Sequence, residues 1–219
     1  MIYRDRDGFF RSALLDSLDW IEHRFGARAH GDWLAAAPVA RVRQTHSAVV
    51  WRVDSQLGLL GDGDALYTTT PGTWLAVRTA DCAPLILAHP GHRVAAIVHS
   101  GWRGTVQNIA AETLNALARD FGAHPRDVVA AIGPSIGKCC FEVGPEVAAQ
   151  FRPWLPALGA GKALLDLRHV LRCQLQDAGV APENISLSEQ CTRCSGQDFH
   201  SYRRDRDAAG RMVSAVRLR

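Results

Sequence analysis

The sequence lacks any apolar run long enough to cross a membrane, because no uninterrupted stretch approaches the roughly 20 residues that a transmembrane helix needs. It also lacks an apolar stretch near its beginning, which reads Met-Ile-Tyr-Arg-Asp-Arg-Asp and is charged where a signal peptide would be apolar. We therefore expect a cytoplasmic protein that does not associate with membranes.

Cysteine and excess charge are also scarce. Six cysteines among 219 residues are too few for a disulfide scaffold, and the cytoplasm keeps thiols reduced. The C-x-x-C formed by Cys191 and Cys194 lacks a second such pair, and Cys139 and Cys140 are interpreted as core or pocket-wall residues. The net charge of +3, with no long run of Lys or Arg, excludes a nucleic-acid footprint and favours a small-molecule partner.

No linker, repeat or low-complexity tract divides the chain, and a hydrophobic fraction of 47% is ample for a core, so one domain spanning residues 1–219 is expected. The polarity pattern predicts strands at 41–46, 48–53, 74–79, 84–88, 94–98, 128–132 and 212–218, a turn at 61–64, and helices at 106–121, 146–154 and 166–178. This mixture of β-hairpins and flanking helices predicts an α+β fold with mixed sheets.

Three potential metal ligands, His46, Cys82 and His99, lie at predicted strand ends or in turns beside them. Two imidazoles and a thiolate suit zinc, and three protein ligands leave the fourth position open, as in catalytic zinc sites. However, separations of 36 and 17 residues match no local zinc signature, and a single His or Cys at a strand end is usually only packed. Spacing alone therefore leaves both interpretations open.

The sequence motifs around these residues resemble those of the YfiH-like, laccase-domain family. They are Gln44-Thr-His46, Gly61-Asp-Gly-Asp-Ala-Leu66, Arg78-Thr-Ala-Asp-Cys-Ala-Pro84, His99-Ser-Gly-Trp-Arg-Gly104, Gly133-Pro-Ser-Ile-Gly137, Cys140-Phe-Glu-Val-Gly144, Cys191-Thr192 and Phe199-His-Ser-Tyr-Arg-Arg-Asp205 with Gly210-Arg211. The resemblance covers nearly the whole chain. It implies that His46, Cys82 and His99 bind zinc.

The resemblance also implies an activity. Members of the family have been called multicopper polyphenol oxidases and, in other cases, purine nucleoside phosphorylases with adenosine deaminase activity. A laccase requires roughly ten His and a Cys, mostly in His-x-His pairs. This chain has nine His and no His-x-His, so we reject multicopper oxidation. The expected substrates are a purine nucleoside and phosphate, with Zn²⁺ as cofactor and Lewis acid.

Further residues are candidates for catalysis or substrate binding. Arg103, beside a predicted helix N-terminus, is a candidate phosphate ligand, with ordinary surface pairing as the alternative. Asp81 is a candidate general acid or base, with turn capping as the alternative. Gln44 should share a strand face with His46 and contact either the ligands or the substrate. Arg203, Arg204 and Arg211 are candidates for contacting the anionic group, although a run of arginines is more often a solvated face.

The chain departs from the family upstream of Gln44, where it lacks a Ser-Leu-Asn-Leu word and an Asn-Arg pair. The missing arginine is an expected substrate contact, for which Arg28 or Arg24 is a candidate substitute because both lie nearby in sequence. Two other classes stay open. One is a hydrolase with Cys82 as nucleophile and His99 as base, or a zinc-dependent amide hydrolase that edits a peptidoglycan precursor. The other is a non-catalytic zinc-stabilised binding protein.

Overall fold

The computed structural model describes all 219 residues and contains fifteen strands and six α-helices. The strands are β1 Ile2–Arg4, β2 Phe10–Ser12, β3 Ile21–Phe25, β4 Val39–Arg43, β5 Val50–Arg52, β6 Gly58–Asp62, β7 Ala65–Thr68, β8 Trp74–Thr79, β9 Ala83–His89, β10 Val94–Ser100, β11 Val129–Ile132, β12 Glu142–Val143, β13 Ala163–Leu164, β14 Ile185–Leu187 and β15 Met212–Leu218. The helices are α1 Ala13–Asp16, α2 Trp102–Val106, α3 Ile109–Phe121, α4 Pro145–Ala148, α5 Leu167–Asp177 and α6 Tyr202–Asp205. None of them has the length and hydropathy of a membrane-spanning helix.

The strands form two large sheets and one short hairpin. The first sheet has the order β1-β2-β3-β15-β8-β4-β6, the second has the order β14-β11-β9-β10-β7-β5, and β12 pairs with β13. Both large sheets are mixed, since β4 is parallel to β6 and β8 while β15 is antiparallel to β3 and β8, and β11 is parallel to β14 but antiparallel to β9. The predicted α+β class with mixed sheets and hairpins is confirmed.

The central hairpin of β9 and β10 is buried on both faces, which explains its nearly continuous apolar sequence. Alternate residues point to opposite faces of a strand. Ile86 and Ile97 therefore join the core between the two sheets, whereas Leu85 and Val98 join the core beneath α3 and α5. Burying each such side chain contributes about 1.5–3 kcal/mol. The hairpin is thus a rigid base for residues at its open end.

The helix after this hairpin differs from its prediction. Instead of one helix over 106–121, the short α2 ends at Val106 and α3 begins at Ile109. Asn108 between them has a φ of 59°, in the left-handed region that a helix cannot continue through. The predicted stop at Gly122 is correct, since it has a φ of 67° and its N–H bonds the carbonyl of Ala118.

The other predicted strands and helices agree with the structure to different degrees. The strands predicted at 74–79 and 212–218 occur with those limits. The helix predicted at 166–178 is one residue shorter at each end. Asp166 is its N-cap, which accepts the His169 N–H, and Ala178 is its C-cap. The helix predicted at 146–154 is only α4 and a 3₁₀ turn. Two further predictions were wrong. Gly61 and Asp62 belong to β6 rather than a turn, and the strand predicted to reach residue 46 ends at Arg43.

Candidate active site

The open end of the central hairpin brings Cys82 and His99 together. In the antiparallel register His99 lies opposite Pro84 and Ser100 opposite Ala83, while Cys82 immediately precedes β9. Residues that are 17 positions apart in sequence therefore become neighbours. His99 is buried, whereas Cys82 is half-buried and lines the adjoining cavity.

His46 reaches the same point from the first sheet, in the loop after β4. Its φ of 60° is unusual for a residue with a side chain, and such strain is found where the surrounding structure fixes a functional group. The loop is fixed by hydrogen bonds. The His46 N–H donates to Asp64 Oδ1 over 3.1 Å, and the Gln107 side chain donates to the His46 carbonyl over 3.1 Å.

Asp64, which has no exposed surface, holds both histidines in place. Its Oδ1 accepts from His46 N–H and lies 2.7 Å from His99 Nδ1, while its Oδ2 accepts from Thr45 N–H at 3.2 Å and from Ser47 N–H at 2.7 Å. Burial alone would raise the pKa of this carboxyl, but the bonds from His99 and Ser47 outweigh it and lower the pKa. Asp64 is therefore a charged anchor that leaves His99 Nε2 as the ring nitrogen free to bind a metal.

The three potential ligands fit a zinc ion. Their ligand atoms all lie within 4.8 Å of one another, and His46 Nε2 is 3.8 Å from Cys82 Sγ. With bonds of about 2.0–2.1 Å to nitrogen and 2.3 Å to sulfur, tetrahedral zinc would place its ligand atoms roughly 3.5 Å apart. Gly101 leaves the necessary space, because a Cβ there would lie 2.7 Å from the His46 ring and 2.9 Å from Cys82 Sγ. Their role as ligands stays a prediction.

Without a metal, the same groups form a charged pair. Burial would raise the pKa of the Cys82 thiol, but the charge of His99 and hydrogen bonds with both imidazoles lower it to about 6. Burial would lower the pKa of His99, but the charge of Cys82 and the bond to Asp64 raise it to about 9. Both shifts favour the thiolate form of Cys82 and the imidazolium form of His99.

A cavity of about 660 Å³ opens above the trio. Its apolar walls include Trp102, Ile136, Phe141 and Leu167. Five arginines also line it, namely Arg78, Arg103, Arg203, Arg206 and Arg211. Asp81 is the one carboxylate among the lining residues, and protein donors occupy both of its oxygens. The cavity is therefore suited to a ligand with a planar apolar part and an anionic part.

Arg103 occupies the position expected of an anion ligand, although not beside a long helix. It lies in the first turn of the five-residue α2, with its guanidinium carbon 4.3 Å from the centre of the Trp102 ring. The side chain is exposed and makes no ion pair, so the alternative of ordinary surface pairing is not what the structure shows. Its donors are free to bind an anion.

Asp81 lines the cavity, and its carboxylate contacts distant segments of the chain rather than its own turn. Oδ1 accepts from the Thr192 hydroxyl at 2.6 Å, and Oδ2 accepts from the Ser201 hydroxyl at 3.1 Å and the Arg203 N–H at 2.6 Å. Its φ of 87° reflects the backbone turn before Cys82. All of these partners are donors from the protein itself. The carboxylate therefore holds in place the part of the cavity wall that carries Arg203.

Gln44 also lines the cavity, for a reason other than the predicted one. The strand ends before it, so it does not share a strand face with His46. Its amide instead pairs with the backbone of Arg78, donating to the carbonyl at 2.7 Å and accepting the N–H at 2.8 Å. Gln44 therefore positions Arg78.

Two arginines predicted to bind substrate, Arg28 and Arg204, lie outside the cavity lining. Arg28 donates to the carbonyl of Gly196 at 3.2 Å. Arg204 pairs with Asp205 at 2.7 Å and donates to the carbonyls of Thr192 and Phe199. Both guanidinium groups contact loop carbonyls, and their role in substrate binding stays a prediction.

Sequence reasoning missed Asp64 as an anchor and Arg78 and Arg206 as cavity residues. Asp64 stands within the Gly61-Asp-Gly-Asp64 motif, whose composition predicts a turn, and Arg78 begins the motif that contains Cys82. Arg206 offered no signal beyond a charged surface run. Of the five non-glycine residues with positive φ, three line this cavity, namely His46, Asp81 and Arg206. This concentration is typical of a functional site.

Comparisons with known proteins identify the family that this chain resembles. Residues 23–219 match the family model described as multi-copper polyphenol oxidoreductase laccase. The chain is 42% identical over 191 residues to a purine nucleoside phosphorylase of Deinococcus radiodurans, covering 84% of this chain and 72% of that protein. It is 38% identical over 191 residues to adenosine deaminase RL5 of an unknown prokaryotic organism, covering 80% and 72%.

Solved structures share the fold. YlmD from Geobacillus stearothermophilus superposes with a TM-score of 0.90 at 28% identity, covering 100% of this chain and 98% of that one. The hypothetical protein YfiH from Bacillus licheniformis gives a TM-score of 0.89 at 26% identity, covering 100% and 99%. The likeness therefore extends over the whole chain, including residues 1–22 that lie outside the matched model.

Proposed function

Since the chain belongs to the multi-copper polyphenol oxidoreductase laccase family, also called YfiH-like, we propose that it is a zinc-dependent purine nucleoside phosphorylase with adenosine deaminase activity. We also propose that residues 1–219 act as one domain, because the core between the two sheets draws on both of them. Relatives named for these two activities, at 42% and 38% identity, support the substrate class.

The observation that carries the proposal is a His-Cys-His trio at the base of a cavity lined by five arginines. A nucleoside has a planar purine, a ribose and no charge, whereas phosphate is a small anion. Apolar walls suit the nucleoside, and guanidinium groups that have no carboxylate partner suit the phosphate. The site thus has a place for both reactants of a phosphorolysis.

Zinc bound by His46, Cys82 and His99 would act there as a Lewis acid toward the substrate. Asp64 would keep His99 Nε2 and the His46 ring directed at the ion through the hydrogen bonds described above. Two imidazoles and one thiolate are far fewer ligands than a multicopper oxidase requires, so the donor set favours zinc chemistry over polyphenol oxidation.

The chain's own groups then divide the work of phosphorolysis. Arg103, with Arg78 or Arg203, would hold phosphate so that one oxygen attacks C1′ of the ribose. The C1′–N9 bond breaks, and its electron pair leaves with the purine, which takes up a proton. Trp102 and Phe141 would exclude water from the base and orient it. In deamination, water replaces the amino group at C6 and ammonia leaves.

A substrate panel tests the proposal. Adenosine, inosine and guanosine are each incubated with and without inorganic phosphate, and ribose 1-phosphate, free base and ammonia are measured. We expect ribose 1-phosphate only with phosphate, and ammonia from adenosine in either case. Cys173→Ser, on α5 and outside the cavity lining, is a matched control that should retain both activities. Absence of every product with metal-loaded protein would refute the assignment.

A second candidate is a hydrolase in which Cys82 attacks an amide carbonyl. Its support is the thiolate and imidazolium pair formed by Cys82, with a pKa of about 6, and His99, with a pKa of about 9. The two candidates differ in the state of the thiol. Stoichiometric metal that protects Cys82 from iodoacetamide supports the zinc enzyme, whereas rapid alkylation of Cys82 in the active protein supports the nucleophile.

A further inference from the structure

Two pairs of cysteines that are about 50 positions apart in sequence meet in a second cluster, separate from the trio. They are Cys139, Cys140, Cys191 and Cys194, and their sulfur atoms all lie within 4.8 Å of one another. Cys194 Sγ is 3.3 Å from Cys140 Sγ and 3.7 Å from Cys139 Sγ. All four are free thiols. We propose that they bind a second, structural zinc ion, distinct from the one at Cys82.

The spacing of the sulfur atoms supports a metal. Zinc–sulfur bonds of about 2.3 Å in a tetrahedron place the sulfur atoms roughly 3.8 Å apart. The distances to Cys194 lie near this value, and no separation in the cluster exceeds it by more than about 1 Å. Four thiolates fill every position of a tetrahedral ion, which is the pattern of a structural rather than a catalytic site.

The backbone around the cluster is shaped for close approach to sulfur. The Gly137 N–H donates to Cys191 Sγ over 3.2 Å. A Cβ on Gly137 would lie 3.2 Å from Cys191 Cβ and 3.3 Å from Cys139 Sγ, so glycine lets this loop approach both cysteines. The Ser195 N–H closes a turn by bonding the Cys191 carbonyl at 3.0 Å, which directs Cys191 and Cys194 to the same side.

The surrounding charge suits a zinc ion with four thiolates, which carries a net charge of −2. Arg193 lies between the cysteines of the C-x-x-C segment, and Lys138 precedes Cys139. Arg168 Nη2 lies 3.2 Å from the position of a Cβ on Gly137. These cations offset the excess negative charge.

The ion would join two segments that each carry part of the cavity wall. Ile136 and Phe141, which flank the first pair of cysteines, line the cavity. Thr192, inside the second pair, bonds Asp81, and its N–H bonds the carbonyl of Ser135 at 3.1 Å. Residues 188–201 contain no strand or helix, so a metal cross-link would hold this stretch against the loop that follows β11.

Metal content and coordination in Cys82→Ser protein test the proposal separately from the function of the trio. This variant removes one ligand of the proposed catalytic zinc and leaves the four-cysteine cluster intact. After expression with zinc and passage over a chelating resin under reductant, we expect about one zinc per chain, with four sulfur neighbours at about 2.3 Å by X-ray absorption. Wild type should hold about two, and Cys173→Ser is the control that should also hold two.

Adding Cys194→Ser to Cys82→Ser should abolish the remaining zinc. If that double variant does not fold, alkylation of the wild-type protein gives the same answer, because cysteines 139, 140, 191 and 194 should react only after a strong chelator is added. The proposal is overturned if Cys82→Ser protein binds no zinc, binds it through nitrogen or oxygen, contains iron in its place, or shows a disulfide among these cysteines when isolated under reductant. The catalytic assignment would be unaffected by any of these results.

Discussion

Replacing Asp64 with asparagine is the most informative perturbation of the candidate site. Asparagine has the same shape but only one acceptor oxygen, and its amide nitrogen must take the place of either Oδ1 or Oδ2. In the first case the donors of His46 and His99 face an N–H₂ group, and in the second case the backbone donors of Thr45 and Ser47 do. At least two donors lose their acceptor in either orientation, since the Ser47 hydroxyl also donates to Oδ2.

The size of the effect follows from these contacts. Hydrogen bonds to a charged group contribute about 1.5–3 kcal/mol each, so losing two at this fully buried site should lower the free energy of unfolding by about 3–6 kcal/mol. Loss of a carboxylate that orients a ligating histidine typically weakens metal binding by about 10- to 100-fold. We therefore expect Asp64→Asn to be less stable and to bind zinc more weakly by that factor.

Urea unfolding and competition with a chromophoric zinc chelator measure these two quantities. Asp62→Asn is the matched control, since Asp62 is two residues away and exposed, and its ion pair with Arg43 is at the surface. Such pairs contribute about 0–1 kcal/mol, so the control should resemble wild type in both assays. An Asp64→Asn protein with wild-type stability and zinc affinity would refute the anchoring role.

Three further predictions concern single residues. Cys82→Ser should lose metal at the trio and lose activity while keeping the wild-type far-UV circular dichroism, and full metal and turnover would exclude Cys82 as ligand or nucleophile. Arg103→Lys keeps the charge but loses the planar fork, so it should weaken phosphate use more than deamination, and equal losses in paired assays would indicate a structural role. Burial lowers the pKa of His23 to about 4 from the ordinary 6.5. The unfolded chain therefore takes up this proton first, and the free energy of unfolding should decrease by on the order of 3 kcal/mol as the pH falls from 6.5 through 4. His23→Gln should remove this decrease in a pH series of urea unfolding, and an unchanged pH dependence would contradict it.

Local sequence patterns were sufficient to predict the elements that pack against the core along their whole length. The strands at 74–79 and 212–218 and the helix near 166–178 follow from apolar periodicity, because burial of one face or of both faces leaves its mark on every second or third residue. The same patterns placed Cys82 and His99 at one end of a hairpin. Antiparallel pairing then made them neighbours without any further information.

Other features depend on contacts between distant segments. His46 meets the hairpin because two sheets pack together, and Asp64 becomes an anchor because β7 pairs with β10 and its carboxylate turns toward the loop after β4. Nothing within a few residues of Asp64 distinguishes that outcome from a solvent-exposed turn. Arg204 differs from Arg103 for the same reason, since only the tertiary structure shows that its guanidinium already pairs with Asp205 and loop carbonyls.

The four clustered cysteines show most clearly what the sequence determines and what only the tertiary structure decides. The sequence alone gave a C-x-x-C without a second pair, together with two adjacent cysteines about 50 positions earlier. Their meeting depends on the bridge between Ser135 and Cys191, which joins the loop after β11 to a stretch with no regular structure of its own. Sequence determined which groups are available, because residue type fixes their chemistry. Tertiary structure decided which of them share a site, because sulfur atoms separated by that much chain become neighbours only when packing closes the loop between them.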